Sequence, residues 1–228
     1  MKTALLAGIA AVALSAGTAL ASMSLVDSSA GTVNAGTIPS AGVNNALVPI
    51  FGPGTTTGYG YFGSSVQGSA GSYLIEYFGA EASNQNQFAA NGSVLFTTPG
   101  TAGSGVFGNP ISSTTVDFAG GILDFAFVIN SNAGNTLTNA ANPNDLAPGA
   151  GPNFLASFAP TVDPGPGGGP TSGDVVWLFL DDGNQVDDNH DDMVIRITYQ
   201  AVPEPATLGL LGAGLLGLGF AARRRKSA

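Results

Sequence analysis

The sequence predicts an all-β fold, a sandwich or jelly roll, on three observations. Short aromatic and β-branched runs alternate with turn residues, in a chain of 228 residues carrying 34 glycines and 14 prolines. Between residues 22 and 202 no helical period persists for a dozen positions. Self-similarity at spacings of about 20 to 50 residues, which would mark a solenoid, is missing from the sequence.

The expected elements follow in order. Residues 22–45 are small, polar and without pattern, and read as a leader or an edge strand. Residues 59–62 and 73–78 are aromatic and β-branched runs bounded by glycine, a strand signature. Residues 94–98 form another, stopped by Pro99 and Gly100. Residues 114–118 and 122–129 come next, the latter with Leu123, Phe125 and Phe127 on one face. Residues 130–173 are rich in Asn, Pro and Gly. Their Pro/Gly-rich part, 143–173, reads as a loop with room for one short element around 154–158. Residues 175–180 are continuously apolar and predict a central strand. Met193, Ile195, Ile197 and Tyr199 alternate with Val194, Arg196 and Thr198, which predicts a half-buried last strand.

Both ends read as addresses, separate from this β-domain of residues 22–202. Met1 and Lys2 open a short positive region, residues 4–14 are apolar, and Ala19-Leu20-Ala21 is a small-x-small site. That is a secretory signal peptide over residues 1–21, to be cut by signal peptidase between Ala21 and Ser22. At the other end Val202-Pro203-Glu204-Pro205 precedes an uncharged apolar run, residues 206–222, and then Arg223, Arg224, Arg225 and Lys226. Seventeen apolar residues are at the short end of what crosses a hydrocarbon core of about 30 Å. The basic residues after this transmembrane helix belong on the cytoplasmic side, placing the body beyond the inner membrane. Pro203 and Pro205 hold Glu204 on an extended segment.

These residues resemble the PEP-CTERM sorting signal of Gram-negative, biofilm-forming bacteria. Pro203, Glu204 and Pro205 match its motif, 206–222 its hydrophobic segment and 223–226 its basic terminus. The resemblance implies exosortase as a partner, a membrane protease and transpeptidase with a cysteine nucleophile. It also implies removal of the tail near the motif and delivery of the body to the cell surface or extracellular matrix.

Charge narrows the body's function. Of six Lys and Arg only Arg196 lies within residues 22–202, against fourteen of the fifteen acids, a formal charge of −13. Such a body repels nucleic acid and anionic lipid. With no cysteine, disulfides, thiolate metal ligands and thiol catalysis are excluded.

One segment carries chemistry. Asp181, Asp182, Asp187, Asp188, Asp191 and Asp192 fall within twelve residues, with Gly183, Asn184, Gln185, Asn189 and His190 among them. Crowded carboxylates raise one another's pKa, and a divalent cation relieves them. Hard oxygen ligands in a loop suit Ca²⁺, which takes about six to eight oxygens, and Gly183 would permit a sharp turn. The spacing is not that of an EF-hand. The competing reading is an acidic, solvated hairpin tip. The end of this segment, Asp187-Asp188-Asn189-His190-Asp191-Asp192 before Met193-Val194-Ile195-Arg196, also resembles the end of an extracellular β-domain of unknown function. That resemblance implies calcium binding and no enzymatic activity.

Enzymatic signals are weak. His190 has no Gly-x-Ser-x-Gly elbow or second metal-binding histidine beside it, and reads as a spacer, a hydrogen-bond partner or an exposed residue. Glu76, Glu81, Asp117 and Asp124 could pair over long range for glycoside hydrolysis, though Glu76 and Glu81 read more simply as outward-facing. The chain is therefore expected to be a non-enzymatic surface or matrix protein of structural or adhesive role. The alternative is an exopolysaccharide-binding module using Trp177 or exposed Tyr59, Tyr61 and Tyr77, and behind it an extracellular hydrolase. Trp177, inside an apolar run, reads first as core.

Overall fold

The computed structural model describes residues 22–27, 34–38, 50, 58–101, 108–132, 134–143, 151–162, 169–183, 190–201, 212 and 214–216. They form an all-β body of antiparallel sheets, as the sequence predicts. The signal-peptide residues 1–21 lie outside the described residues. So does the expected tail helix over 206–222, apart from Gly212 and residues 214–216, which are helical. No helix among the described residues is long and apolar enough to cross a membrane.

Fifteen strands are described: β1 (Met23–Asp27), β2 (Asn34–Ile38), β3 (Gly58–Phe62), β4 (Ser64–Gly68), β5 (Gly71–Gly79), β6 (Gln87–Ala90), β7 (Ser93–Thr97), β8 (Ser112–Phe118), β9 (Gly121–Ile122), β10 (Phe125–Val128), β11 (Thr136–Thr138), β12 (Asn153–Ser157), β13 (Ser172–Gly173), β14 (Val175–Asp181) and β15 (Met193–Gln200). The largest sheet runs β2-β3-β12-β14-β15-β5-β8, and two four-stranded sheets run β13-β1-β4-β9 and β11-β10-β6-β7.

The continuous apolar run becomes β14, the middle strand of the seven. Leu178, Phe179 and Leu180 are fully buried, so both of its faces are covered, which is why alternation is absent there. The last strand departs from the expected half-burial at its start. Val194 is as buried as Met193 and Ile195, because β15 lies between β14 and β5 and an apolar cluster covers its second face. The single run expected over 122–129 is split into β9 and β10, but Leu123, Phe125 and Phe127 are all buried as predicted. The first segment supplies β2 at an edge and β1 inside a sheet.

The inner face of the large sheet presents Tyr73, Ile75, Phe154, Val176, Leu178, Ile195 and Ile197. They pack in one cluster with Met23, Leu25 and Val66 of one small sheet and with Phe88, Phe125 and Phe127 of the other. Phe88 lies 5.4 Å from Phe125 and 5.2 Å from Phe127, while Phe154 lies 5.8 and 5.7 Å from the same two rings. Each such pair adds about 1 kcal/mol beyond burial. A smaller cluster of Phe62, Phe78, Leu155, Phe179 and Val194 covers the other face.

The Asn-rich stretch is built in by its side chains. Asn139 accepts from Val66 N at 2.8 Å and donates to Val66 O and Leu123 O at 2.7 and 2.8 Å. Asn142 accepts from Phe154 N at 3.0 Å and donates to Phe154 O at 2.8 Å. These amides satisfy buried backbone groups where no ladder does. The short element expected near 154–158 is thereby β12, an interior strand of the large sheet.

Candidate metal centre

The centre begins with register. In the β15–β5 ladder Val194 pairs with Gly79 and Ile195 with Tyr77, so β5 carries one extra residue, a β-bulge at Phe78. The chain leaving β5 is thereby brought beside the chain entering β15. Glu81 N donates to Asp191 O at 2.9 Å, and Asp192 N donates to Leu180 O at 3.1 Å. Carboxylate oxygens of Glu81, Asp191 and Asp192 lie within 4.8 Å of one another.

The turn after β14 closes on the same point. Gly183 has φ of +80°, and a Cβ there would lie 2.7 Å from Pro152 N, so only glycine fits, as the acidic segment suggested. Gly183 N donates to Asp181 Oδ1 at 2.7 Å, and Asp182 N donates to Asp192 Oδ2 at 2.8 Å. Asp182 Oδ2 accepts from Asn84 and Asn86 Nδ2 at 2.9 and 2.8 Å. Asp182 Oδ1, fully buried, has no hydrogen-bond partner among the described residues.

Asp181, Asp182, Asp191 and Asp192 are 4%, 3%, 0% and 1% exposed. A solvated hairpin tip would expose them, so the structure withdraws that competing reading for these four. His190 is also buried, which excludes the exposed placement. Its Nε2 donates to Asn153 Oδ1 at 2.7 Å, and its ring lies 5.1 Å from that of Phe62. Its φ of +54° is a left-handed conformation costly for such a residue, held where the chain turns into Asp191.

Burial pushes the Asp192 carboxyl up to about 8, with the charges of Asp182, Asp181 and Asp191 adding to it and the Asp182 N–H opposing it. The body's only strong base, Arg196, is committed elsewhere, 2.7 Å from Glu76 Oε2 and stacked on Phe78 and Trp177. Crowded, buried carboxylates are stable only when a proton or a cation offsets their charge. The donor set is all oxygen, which fits a hard divalent ion. Asp182 Oδ1 is an orphaned acceptor of the kind an ion would take.

Six residues are expected from the sequence to ligate. Asp181, Asp182, Asp191 and Asp192 are brought together, and Asp187 and Asp188 lie outside the described residues, as do the sorting-motif residues Pro203, Glu204 and Pro205 and, of the cleavage pair, Ala21. Asn84, Asn86 and Asn153 join the centre without any forewarning in the sequence, and Glu81, read there as outward-facing, is half-buried and directed to Asp191 and Asp192. Nothing local marks them, because only the β15–β5 and β12–β14 pairings bring them near.

Other expected sites fare differently. Glu76 is not outward-facing but 6% exposed against Arg196. Asp117 is exposed and accepts from Ser72 Oγ, and Asp124 is exposed. Tyr61 and Tyr77 are 4% and 6% exposed, so neither offers the stacking platform expected for sugar. Trp177 is half-buried, stacked on Phe179 at 6.1 Å and beneath the Arg196 guanidinium, in keeping with a packing role.

Residues 201–226 match the family described as the PEP-CTERM protein-sorting motif. The chain thus carries that signal, which implies an exported protein, membrane-anchored before processing, with exosortase as its processing partner. No curated protein matches the chain. Among solved structures, the Ralstonia solanacearum high-affinity mannose-binding lectin aligns over 59% of this chain and 92% of its own, at 13% identity and a TM-score of 0.32.

Proposed function

We propose that this chain is an exported, exosortase-processed protein of the cell surface or extracellular matrix, whose β-domain binds calcium and serves a structural or adhesive role. Signal peptidase removes residues 1–21, the tail holds the chain in the inner membrane, and exosortase acts near Pro203-Glu204-Pro205. The observation that carries the calcium assignment is the burial of four aspartates, 181, 182, 191 and 192, at 4% exposure or less beside Glu81. Asp187 and Asp188, from the same segment, complete the expected ligand set. A non-catalytic role is supported by the engagement of Glu76 with Arg196 and by the hydrogen bond that Asp117 accepts from Ser72.

The reading is tested by calorimetric titration of the exported protein with CaCl₂. Extracellular calcium sites commonly bind at about 10⁻⁴ to 10⁻³ M. At a hundredfold excess over Kd, binding stabilises the fold by about 2.7 kcal/mol. Substituting Asp191 and Asp192 by Asn should abolish both the heat of binding and the rise in melting temperature. Titration of the wild-type protein without heat or thermal shift would end the calcium assignment.

A further inference from the structure

The acidic segment is not the whole centre. Glu81 comes from a different part of the chain, the connection between β5 in the large sheet and β6 in a small one. Its carboxylate lies within 4.8 Å of those of Asp191 and Asp192, and its N–H is bound to Asp191 O.

The rest of that connection is fastened at both ends. Asn84 and Asn86 hold Asp182 Oδ2, so the residue with the orphaned buried Oδ1 is gripped from this side. Asn86 Oδ1 in turn accepts from Asn130 N at 3.0 Å, beyond the end of β10. Asn86 N donates to Thr98 Oγ1 at 2.8 Å, Thr98 N to Asn86 O at 2.8 Å, and Thr98 Oγ1 to Asn84 O at 3.0 Å, just past β7. A continuous hydrogen-bonded path runs from the turn after β14, through residues 81–86, to the small sheet β11-β10-β6-β7.

We propose that Glu81 is a ligand of the calcium ion, so that the ion clamps the β5–β6 connection, and with it the small sheet, to the β14–β15 turn. The proposal rests on the calcium reading above. A carboxylate contributed from outside the loop changes what the ion does. Held only by Asp181, Asp182, Asp191 and Asp192, it would tie the end of β14 to the start of β15. Held by Glu81 as well, it joins two sheets that, among the described residues, also meet through apolar packing and side-chain amide hydrogen bonds. The carboxylates of Glu81, Asp191 and Asp192 are close enough to share one cation, and Asp182, whose N–H binds Asp192 Oδ2, has a buried Oδ1 with no partner among the described residues; together they give that bridge its chemistry.

The test uses the full chain in mild detergent, titrated with CaCl₂ by calorimetry and followed by hydrogen exchange of residues 84–98 with calcium and with chelator. Wild type should show calcium-dependent protection in that segment. Glu81→Gln should weaken calcium affinity about tenfold or more, as loss of a supporting or ligating group commonly does, and lose that protection. Glu81→Asp keeps the charge but shortens the reach; partial loss of affinity is expected, which supplies the reading should the Gln variant fold poorly. Unchanged affinity, or full protection of residues 84–98 by calcium in a folded Glu81 variant, would overturn the clamp while leaving calcium binding intact. A wild-type chain that binds no calcium would overturn both.

Discussion

In chelator, stability should fall as pH rises from about 4 to 8, and Asp192 sets the slope. Its carboxyl titrates near 8 in the folded protein against 3.8 ordinarily. Between those values the native state holds a proton that the unfolded chain has released. The unfolded state therefore binds fewer protons, and stability declines by about 1.4 kcal/mol per pH unit. Across the whole window the loss is about 6 kcal/mol, with roughly 4 of it gone by pH 7. Asp192 is 1% exposed, so solvent screening does not blunt the effect. Asp192→Asn removes this titration but keeps an oxygen for the Asp182 N–H, so the variant should lose the Asp192 share of the slope and be more stable than wild type at pH 7 without calcium. Saturating calcium should remove the wild-type slope, because the calcium-bound native state holds this carboxylate deprotonated, as the unfolded chain does at these pH values. Urea denaturation between pH 5 and 7.5, with chelator and with calcium, measures all three. A chelated wild-type protein with flat or rising stability, or an Asn variant that keeps the slope, would refute the reasoning.

Four further outcomes are expected. Phe154→Ala, in a segment that looks like loop by composition, should cost about 3–5 kcal/mol in urea denaturation, since its ring is fully buried against Phe125 and Phe127. Gly92→Ala should cost about 1 kcal/mol by the same assay with no steric cause: Gly92 has φ of +74° in the two-residue Asn91-Gly92 turn, and a Cβ there would meet nothing within 4 Å. Arg196→Met should destabilise by about 3–5 kcal/mol by stranding Glu76, and Glu76→Met in the same chain should restore most of it. Substituting Pro203-Glu204-Pro205 by three alanines should leave uncut chain in the inner membrane, read by mass spectrometry of membrane and secreted fractions.

Much of the fold is legible where the local pattern and the tertiary environment agree. The apolar run of β14 announces a strand covered on both faces, and Leu123, Phe125 and Phe127 announce one buried face despite the break between β9 and β10. The Asn91-Gly92 pair is a strong hairpin signal, joining β6 to β7, but β6 is only four residues, Gln87-Phe88-Ala89-Ala90, with no β-branched side chain, and stays hidden. β12 shows in the sequence only as a short element around 154–158; its interior place in the large sheet is hidden, because its support comes from the Asn142 side chain and from β14. The centre shows the same division. Its aspartates cluster in the sequence, where they can be found. Glu81 reaches them only through the bulged register of β5 on β15, which no window of residues encodes.

Arg196 has a further consequence for the exported protein. Its peptide bond to Ile197 is the one place between residues 22 and 202 where a trypsin-like enzyme could cut, and no lysine lies in that stretch. That bond sits inside β15, laddered on both sides to β14 and β5, with the guanidinium tied to Glu76. Digestion there requires the large sheet to open first, so the folded body resists such enzymes for as long as it stays folded.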